Sequence, residues 1–245
     1  MTRRFGLLLA AVATLAALLA MAATSARERP LAFGADRDRY EIGHDITIRF
    51  VNNTNRVVRM DPIWHLGLAQ TDEEVASYHW SDEERVVAPG EQRIWVWSQL
   101  GPACYGQCQN VSPGEQVRAG RYVVTATIDG VPLSDAFEIG SFFTLGFEGR
   151  PNVSFVVFVA TQDEVDRMNE EAAAEDKTLI VSGLVRKGQR YNPDWSYVMG
   201  SRSIVLGEVF IEVCDASPGY VERHRDQWMG ERWCPWSSYV ARAGR

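Results

Sequence analysis

The residues with most chemistry to offer are four cysteines in two couples, Cys104 with Cys108 and Cys214 with Cys234. Two thiols can form a structural disulfide, cycle as a redox pair or hold a soft metal, and spacing separates these uses. A bond between Cys214 and Cys234 would close a loop of about twenty residues, worth roughly 3 kcal/mol in the chain-entropy picture, and would tie down a terminus that otherwise frays. A metal use lacks ligands, because His224 is the only nearby histidine and no further soft ligand accompanies it. Cys104-Tyr105-Gly106-Gln107-Cys108 would close a much tighter loop. A strained bond there is easier to reduce, but neither Cys-x-x-Cys spacing nor a βαβ context is present, so a staple holding an inserted hairpin tip is expected. Four cysteines allow three pairings; pairing within each couple is the simplest, since each couple then lies inside one candidate domain.

Oxygen ligands are more plentiful. Asn192, Asp194, Glu212, Asp215 and Glu222 could meet around a calcium ion. Such Asp and Asn residues more often cap turns and helices, and Asp215-Ala216-Ser217-Pro218 directly precedes a candidate helix. His79 stands between Asp72-Glu73-Glu74 and Asp82-Glu83-Glu84, which reads as a solvated hairpin tip, and His65 beside Trp64 reads as a strand residue. There is no Gly-x-Ser-x-Gly elbow, His-Glu-x-x-His helix, phosphate loop or dinucleotide glycine fingerprint. No catalytic residue, metal or cofactor is assigned on this reading. A non-catalytic protein-binding module is expected; the alternative is an enzyme with its site in the second domain or between domains. Aromatic residues exposed at loop tips, with Trp80 and Trp195 as candidates, would mark the binding module.

The chain that positions these groups has 245 residues, 46% hydrophobic and 11% aromatic, which excludes a disordered polypeptide. Arg3-Arg4, an apolar run from Phe5 to Ala23 and the small residues Ala20-Met21-Ala22 and Ala26 describe a secretory signal over residues 1–26. Left uncleaved, the run is just long enough to anchor in a membrane. A secreted or periplasmic, cell-envelope location is therefore expected, which also suits disulfides. Removing the signal leaves 23 Lys and Arg against 32 Asp and Glu, a net charge of −9. No basic patch stands out, so nucleic acid is excluded as a partner class.

Two segments follow with different patterns. Residues 31–147 hold short alternating runs broken by turn residues every eight to twelve positions: Ile46-Ile48-Phe50 on one strand face, then Trp64–Leu68, Val75–Trp80, Gln92–Gln99 and Gly120–Ile128. That pattern predicts an all-β sandwich of immunoglobulin type. Gly120-Arg121-Tyr122 fits a tyrosine corner or an ordinary core tyrosine. After a linker at Glu148-Gly149-Arg150-Pro151, residues 153–243 read as a small α+β domain. Its strand Phe155–Ala160 precedes a helix opened by the capping box Thr161-Gln162-Asp163-Glu164, with Val165, Met168 and Ala172 inward and the acids outward. Strands over Leu179–Val185 and Ile204–Cys214 and a short helix over Tyr220–Trp228 complete it.

Both segments also resemble known families. Tyr40-Glu41-Ile42-Gly43, Ile46-Thr47-Ile48-Arg49-Phe50-Val51-Asn52-Asn53-Thr54, Val87-Ala88-Pro89-Gly90-Glu91, Trp95-Val96-Trp97 and Ala119-Gly120-Arg121-Tyr122-Val123-Val124 together resemble the BsuPI-type proteinase inhibitor domain, an immunoglobulin-like sandwich. The resemblance implies a protein partner, a protease, met by an extended loop; Cys104 to Pro113 (Cys104, Tyr105, Gly106, Gln107 and Cys108 foremost) is the candidate loop. Tyr191-Asn192-Pro193-Asp194-Trp195-Ser196-Tyr197, Ile211-Glu212-Val213-Cys214-Asp215-Ala216 and Trp233-Cys234-Pro235-Trp236-Ser237-Ser238 resemble a small domain of calmodulin-binding-protein relatives. That likeness implies a fold and no chemistry, and a calmodulin partner is not carried over, because the clear helix here is acidic.

Overall fold

A computed structural model describes residues 30–71, 73–101, 114–189 and 191–245. The chain begins with β1 (Leu31–Ala35), β2 (Arg39–Glu41) and β3 (Ile46–Asn52), then passes through β4 (Val58–Arg59), β5 (Ile63–Leu68), β6 (Glu73–His79), β7 (Val86–Val87) and β8 (Gln92–Trp97). After β9 (Leu100–Gly101) and β10 (Glu115–Gln116) come β11 (Gly120–Ile128) and β12 (Val131–Phe147). Period-two alternation decides which side chains are buried. Ile46, Ile48 and Phe50 of β3 point inward, as do Tyr122, Val124, Ala126 and Ile128 of β11. One sheet runs β1-β3-β8; the facing sheet holds β6, β5, β11 and β12, with β2 parallel to β12 at its far edge. The two inner faces close over one core, an immunoglobulin-like β-sandwich.

Local chemistry fixes the turns of this half. The Tyr122 hydroxyl donates to the Arg118 carbonyl at 2.7 Å, so the tyrosine corner is formed. Asp129 and Gly130, both at positive φ, make the two-residue turn that joins β11 to β12. Trp80 is not an exposed loop-tip aromatic. It is buried against Trp95 with ring centroids 3.8 Å apart, filling the edge where β6 and β8 face each other.

β12 then leaves the sandwich without ending. It pairs with β11 through Ile139 and with β2 through Gly140; from Ser141 it pairs with β13 (Phe155–Val159), and from Phe143 with a C-terminal strand on its other side. The first body therefore ends near Gly140, not at Phe147. Glu148–Pro151 is no linker: it is the hairpin turn between β12 and β13, with Gly149 at φ +69° and the Arg150 amide bonded to the Phe147 carbonyl.

The second body continues with α1 (Gln162–Ala173), β14 (Ile180–Lys187), β15 (Tyr197–Met199) and β16 (Val205–Gly207), then α2 (Pro218–Arg223), α3 (Arg225–Trp228), β17 (Arg232–Trp233) and β18 (Ser238–Ala243). Phe143, Leu145 and Phe147 of β12 pack with Phe155, Tyr197 and Trp233 in its core, and Val165 and Met168 close that core from α1. The capping box does not form. Thr161 is the N-cap residue without a side-chain bond, and Glu164 accepts from the Leu206 amide and Arg167 rather than from the Thr161 amide. Nor do all the acids of α1 face solvent; Glu171 is buried and accepts from the amides of Thr178 and Leu179, turning the chain toward β14.

Polar bonds join the bodies beside the shared strand. Glu138 pairs with Arg39 of the first body and Arg202 of the second, each at 3.3 Å, and accepts from the Ser201 hydroxyl at 2.6 Å. Arg39 also lies over the rings of Phe158 and Tyr191. The Gln162 side chain at the start of α1 accepts from the Ala119 amide at 2.7 Å.

The packing at the crossing can be probed through its glycines. A Cβ at Gly140 would run into the Val159 carbonyl, whereas one at Gly149 meets nothing within 4 Å. Gly140→Ala should lower unfolding stability by about 2–3 kcal/mol through backbone displacement, and Gly149→Ala by only about 1 kcal/mol through its positive φ; urea unfolding of the two variants measures the contrast. Burial, and then the Glu222 charge, pushes the Tyr197 phenol above its ordinary range, while burial and then the bond to Asp36 do the same for Tyr40. Both folded values lie above the unfolded one, so this stability is complete below about pH 10 and is lost as pH rises beyond it, where the unfolded chain ionises first. The urea midpoint should fall above about pH 10, and Tyr197→Phe should flatten part of that fall.

Candidate functional site

Three of the five calcium candidates, Asn192, Asp215 and Glu222, have separate structural duties, while Asp194 and Glu212 are exposed. Asn192 is buried and brackets Val156, accepting from its amide at 2.6 Å and donating to its carbonyl at 2.7 Å, so it stands in for a neighbouring strand beside β13. Glu222 accepts from the amide and hydroxyl of Ser196 at 2.9 and 2.7 Å. Asp215 accepts from the Trp236 amide at 2.9 Å, and the cap of α2 is Ser217, with Pro218 as the first helical residue. His65 pairs with Glu74 across β5 and β6 at 2.7 Å on a half-exposed face. Among the described residues, no three His, Cys, Asp or Glu side chains are grouped so as to hold a metal ion. Trp195 is half-buried, with its indole N–H donating to the Ser154 carbonyl. The candidate loop Cys104, Tyr105, Gly106, Gln107 and Cys108 lies outside the described residues, as does the signal segment.

Cys214 and Cys234 are joined as a disulfide with their Cα atoms 5.2 Å apart. The Cys234 amide donates to the Cys214 carbonyl, and the Trp233 indole donates to the Ala216 carbonyl at 2.8 Å. The bond thus stitches the segment after β16 to the last two strands.

Upstream of that staple the structure departs from the expected strand over Ile204–Cys214. Only Val205–Gly207 is paired, because β14 begins at Ile180, which sits opposite Gly207 and leaves no strand for residues 208–213 to join. The Phe210 ring folds back over Gly207, with ring atoms 3.0 and 3.1 Å from where a Cβ would stand. The backbone then closes in a 3-10 turn at Glu212–Cys214. Alternation that would have buried one face of a strand leaves Val209, Ile211 and Val213 exposed by 82%, 70% and 82%. Tyr220 of α2, stacked on His224, is exposed as well, as is Trp236, whose amide bonds to Asp215. Between the ridge and the helices lies a groove of about 480 Å³ lined by Phe210, Ile211, Val213, Tyr220 and Trp228, with Glu231 and Arg232 among its polar residues.

Apolar exposure elsewhere is more scattered. Among the described residues, Ile94 and Val96 are exposed on the outer face of β8, and Val57, Tyr78, Val86, Leu100 and Val131 are exposed outside that strand. Contiguous exposed apolar surface beside a rigid staple is suited to holding another surface. Its signal in the sequence is weak, since Glu208-Val209-Phe210-Ile211-Glu212-Val213 alternates identically whether or not a partner strand exists.

A family model described as the BP-74 N-terminal domain matches residues 142–244. The matched span starts one residue after β12 takes β13 as its neighbour, so it coincides with the second body. Among curated proteins nothing matches. Among solved structures, the alkylpurine DNA glycosylase AlkC of Pseudomonas fluorescens, bound to DNA containing an abasic site analog, is similar at 11% identity and a TM-score of 0.26, over 49% of this chain and 33% of that one. The sporulation control protein Spo0M of Bacillus subtilis is similar at 15% identity and a TM-score of 0.26, over 80% of this chain and 96% of that one. The chain thus spans about a third of the glycosylase, and likenesses at that level say nothing of activity. The match over residues 142–244 makes the ridge, the groove and their disulfide parts of a segment similar to the BP-74 N-terminal domain.

Proposed function

We propose that the protein is an exported, non-catalytic binding module that meets a protein partner through the ridge Val209–Val213 and the groove beside it. The observation that carries this reading is the exposure of three β-branched residues in a row of alternate positions, held between a disulfide and the contact of Phe210 with Gly207. Leaving them in water is unfavourable by most of their apolar area, a cost that a partner would remove. Rigid anchoring matters as much as area, because a segment already ordered before contact loses less entropy on binding. Export is supported by the apolar leader with its small exit residues and by a disulfide suited to an oxidising compartment. The proteinase-inhibitor activity implied by the sandwich's resemblance rests on Cys104 to Pro113 and is independent of the ridge.

The test is site-specific photo-crosslinking in exporting cells, with the photoreactive residue at position 213 and, as control, at Val131 on the sandwich hairpin. A discrete protein adduct from 213 and none from 131 is expected, together with an intact mass that places the new N-terminus between Ala23 and Arg27. Equal labelling from both positions, or none from 213, would contradict the docking surface; a chain retaining Met1 would contradict cleavage and export.

A further inference from the structure

We infer that the occupant of this groove is a segment of a partner protein that carries lysines or arginines between large apolar side chains. The inference rests on the reading of the ridge as a docking surface and adds its charge. Glu208 and Glu212 are exposed between the apolar residues of the ridge, and Glu231 lines the groove beside it together with Arg232. None of these three carboxylates is paired with a base among the described residues. Two of the nearby bases are bonded elsewhere. Arg232 donates to the Ser182 hydroxyl at 3.0 Å and the Ser203 carbonyl at 3.3 Å, and Arg225 bonds to Ser196 and pairs with Glu222. The guanidinium groups of Arg223 and Arg186 lie near Gly219 and Gly230, and neither forms an ion pair with these carboxylates among the described residues.

Charge then separates the classes of occupant. A bilayer with anionic lipids carries a negative surface potential and would be repelled by Glu208, Glu212 and a chain with seven more acids than bases. A second copy docked symmetrically would set Glu208 and Glu212 against their own kind, which opposes a closed dimer through this face. A basic, apolar segment meets neither obstacle: its side chains cover Val209, Ile211 and Val213 while its cations reach the three carboxylates.

The experiment uses the exported chain without its leader and a fluorescent leucine–lysine peptide, the same peptide with glutamate in place of lysine, and phosphatidylcholine vesicles with and without phosphatidylglycerol. Saturable binding of the lysine peptide is expected, at least about tenfold tighter than the glutamate peptide and weakening with salt. Val209→Ser/Val213→Ser should abolish it, and Glu208→Lys/Glu212→Lys should reverse the preference between peptides; thermal melting confirms that both variants stay folded, as expected for side chains this exposed. Equal affinity for the two peptides, binding unchanged by the Ser variants, vesicle co-sedimentation, or a ridge-dependent dimer in sedimentation would overturn the inference. A protein adduct from position 213 without lysine-peptide preference would leave the docking surface standing and refute its proposed partner chemistry. Absence of both would refute the two together.

Discussion

A single strand has to satisfy two hydrophobic cores, and most of the molecule is arranged around how it does so. β12 gives Phe137 and Ile139 to the sandwich and Phe143, Leu145 and Phe147 to the second body within one unbroken run of seventeen residues. The exchange of neighbours falls at Gly140, where the chain has no room for a Cβ beside the Val159 carbonyl. A continuous strand transmits position in a way that a linker does not, since every ladder bond on one side fixes the register of the next. Glu138, with Arg39 on one side and Arg202 and Ser201 on the other, adds a mostly buried polar clasp at the same place.

The exposed ridge depends on that frame through a short chain of contacts. β18 lies along β12, and Cys234 precedes β18 by a few residues, so the disulfide to Cys214 fastens the end of the ridge to the shared strand's sheet. Phe210 over Gly207 fastens the other end to β16. What is left between these anchors is a segment whose apolar side chains find no core. A fold that buries Trp80, Trp233 and Tyr197 almost completely, yet leaves Val209, Ile211 and Val213 in water, provides no packing for this segment. That contrast is the physical basis for placing a partner here.

Much of the fold was legible in the sequence, because strand alternation and turn chemistry are local signals. The strands around Ile46–Phe50, Trp64–Leu68 and Gly120–Ile128, the tyrosine corner at Tyr122 and the disulfide Cys214–Cys234 all follow from such patterns. The failures share a cause of the opposite kind. Glu148–Pro151 has the composition of a linker, and only the pairing of β13 with β12 turns it into a hairpin. Thr161 and Glu164 have the spacing of a capping box, but Leu206, far along the chain, takes the glutamate. The ridge was hidden for the same reason, since whether a strand-like run is paired depends on where β14 begins. Tertiary competition decided each case, and local spacing does not report it.

The central claim is that β12 makes the two bodies one cooperative unit, so that the staple beneath the ridge is felt in the distant sandwich. Amide hydrogen exchange of β11, compared between the intact chain and Cys234→Ser, tests it directly. β11 contacts β12 but has no bond to the stapled segment, and its central amides should exchange only through global opening. If the bodies unfold together, loss of the disulfide should speed exchange at Tyr122 to Val124 roughly hundredfold, in line with the 3 kcal/mol or so expected of such a loop. Faster exchange confined to residues 141–245, with β11 unchanged, would show that the sandwich stands alone and that the shared strand does not couple the two.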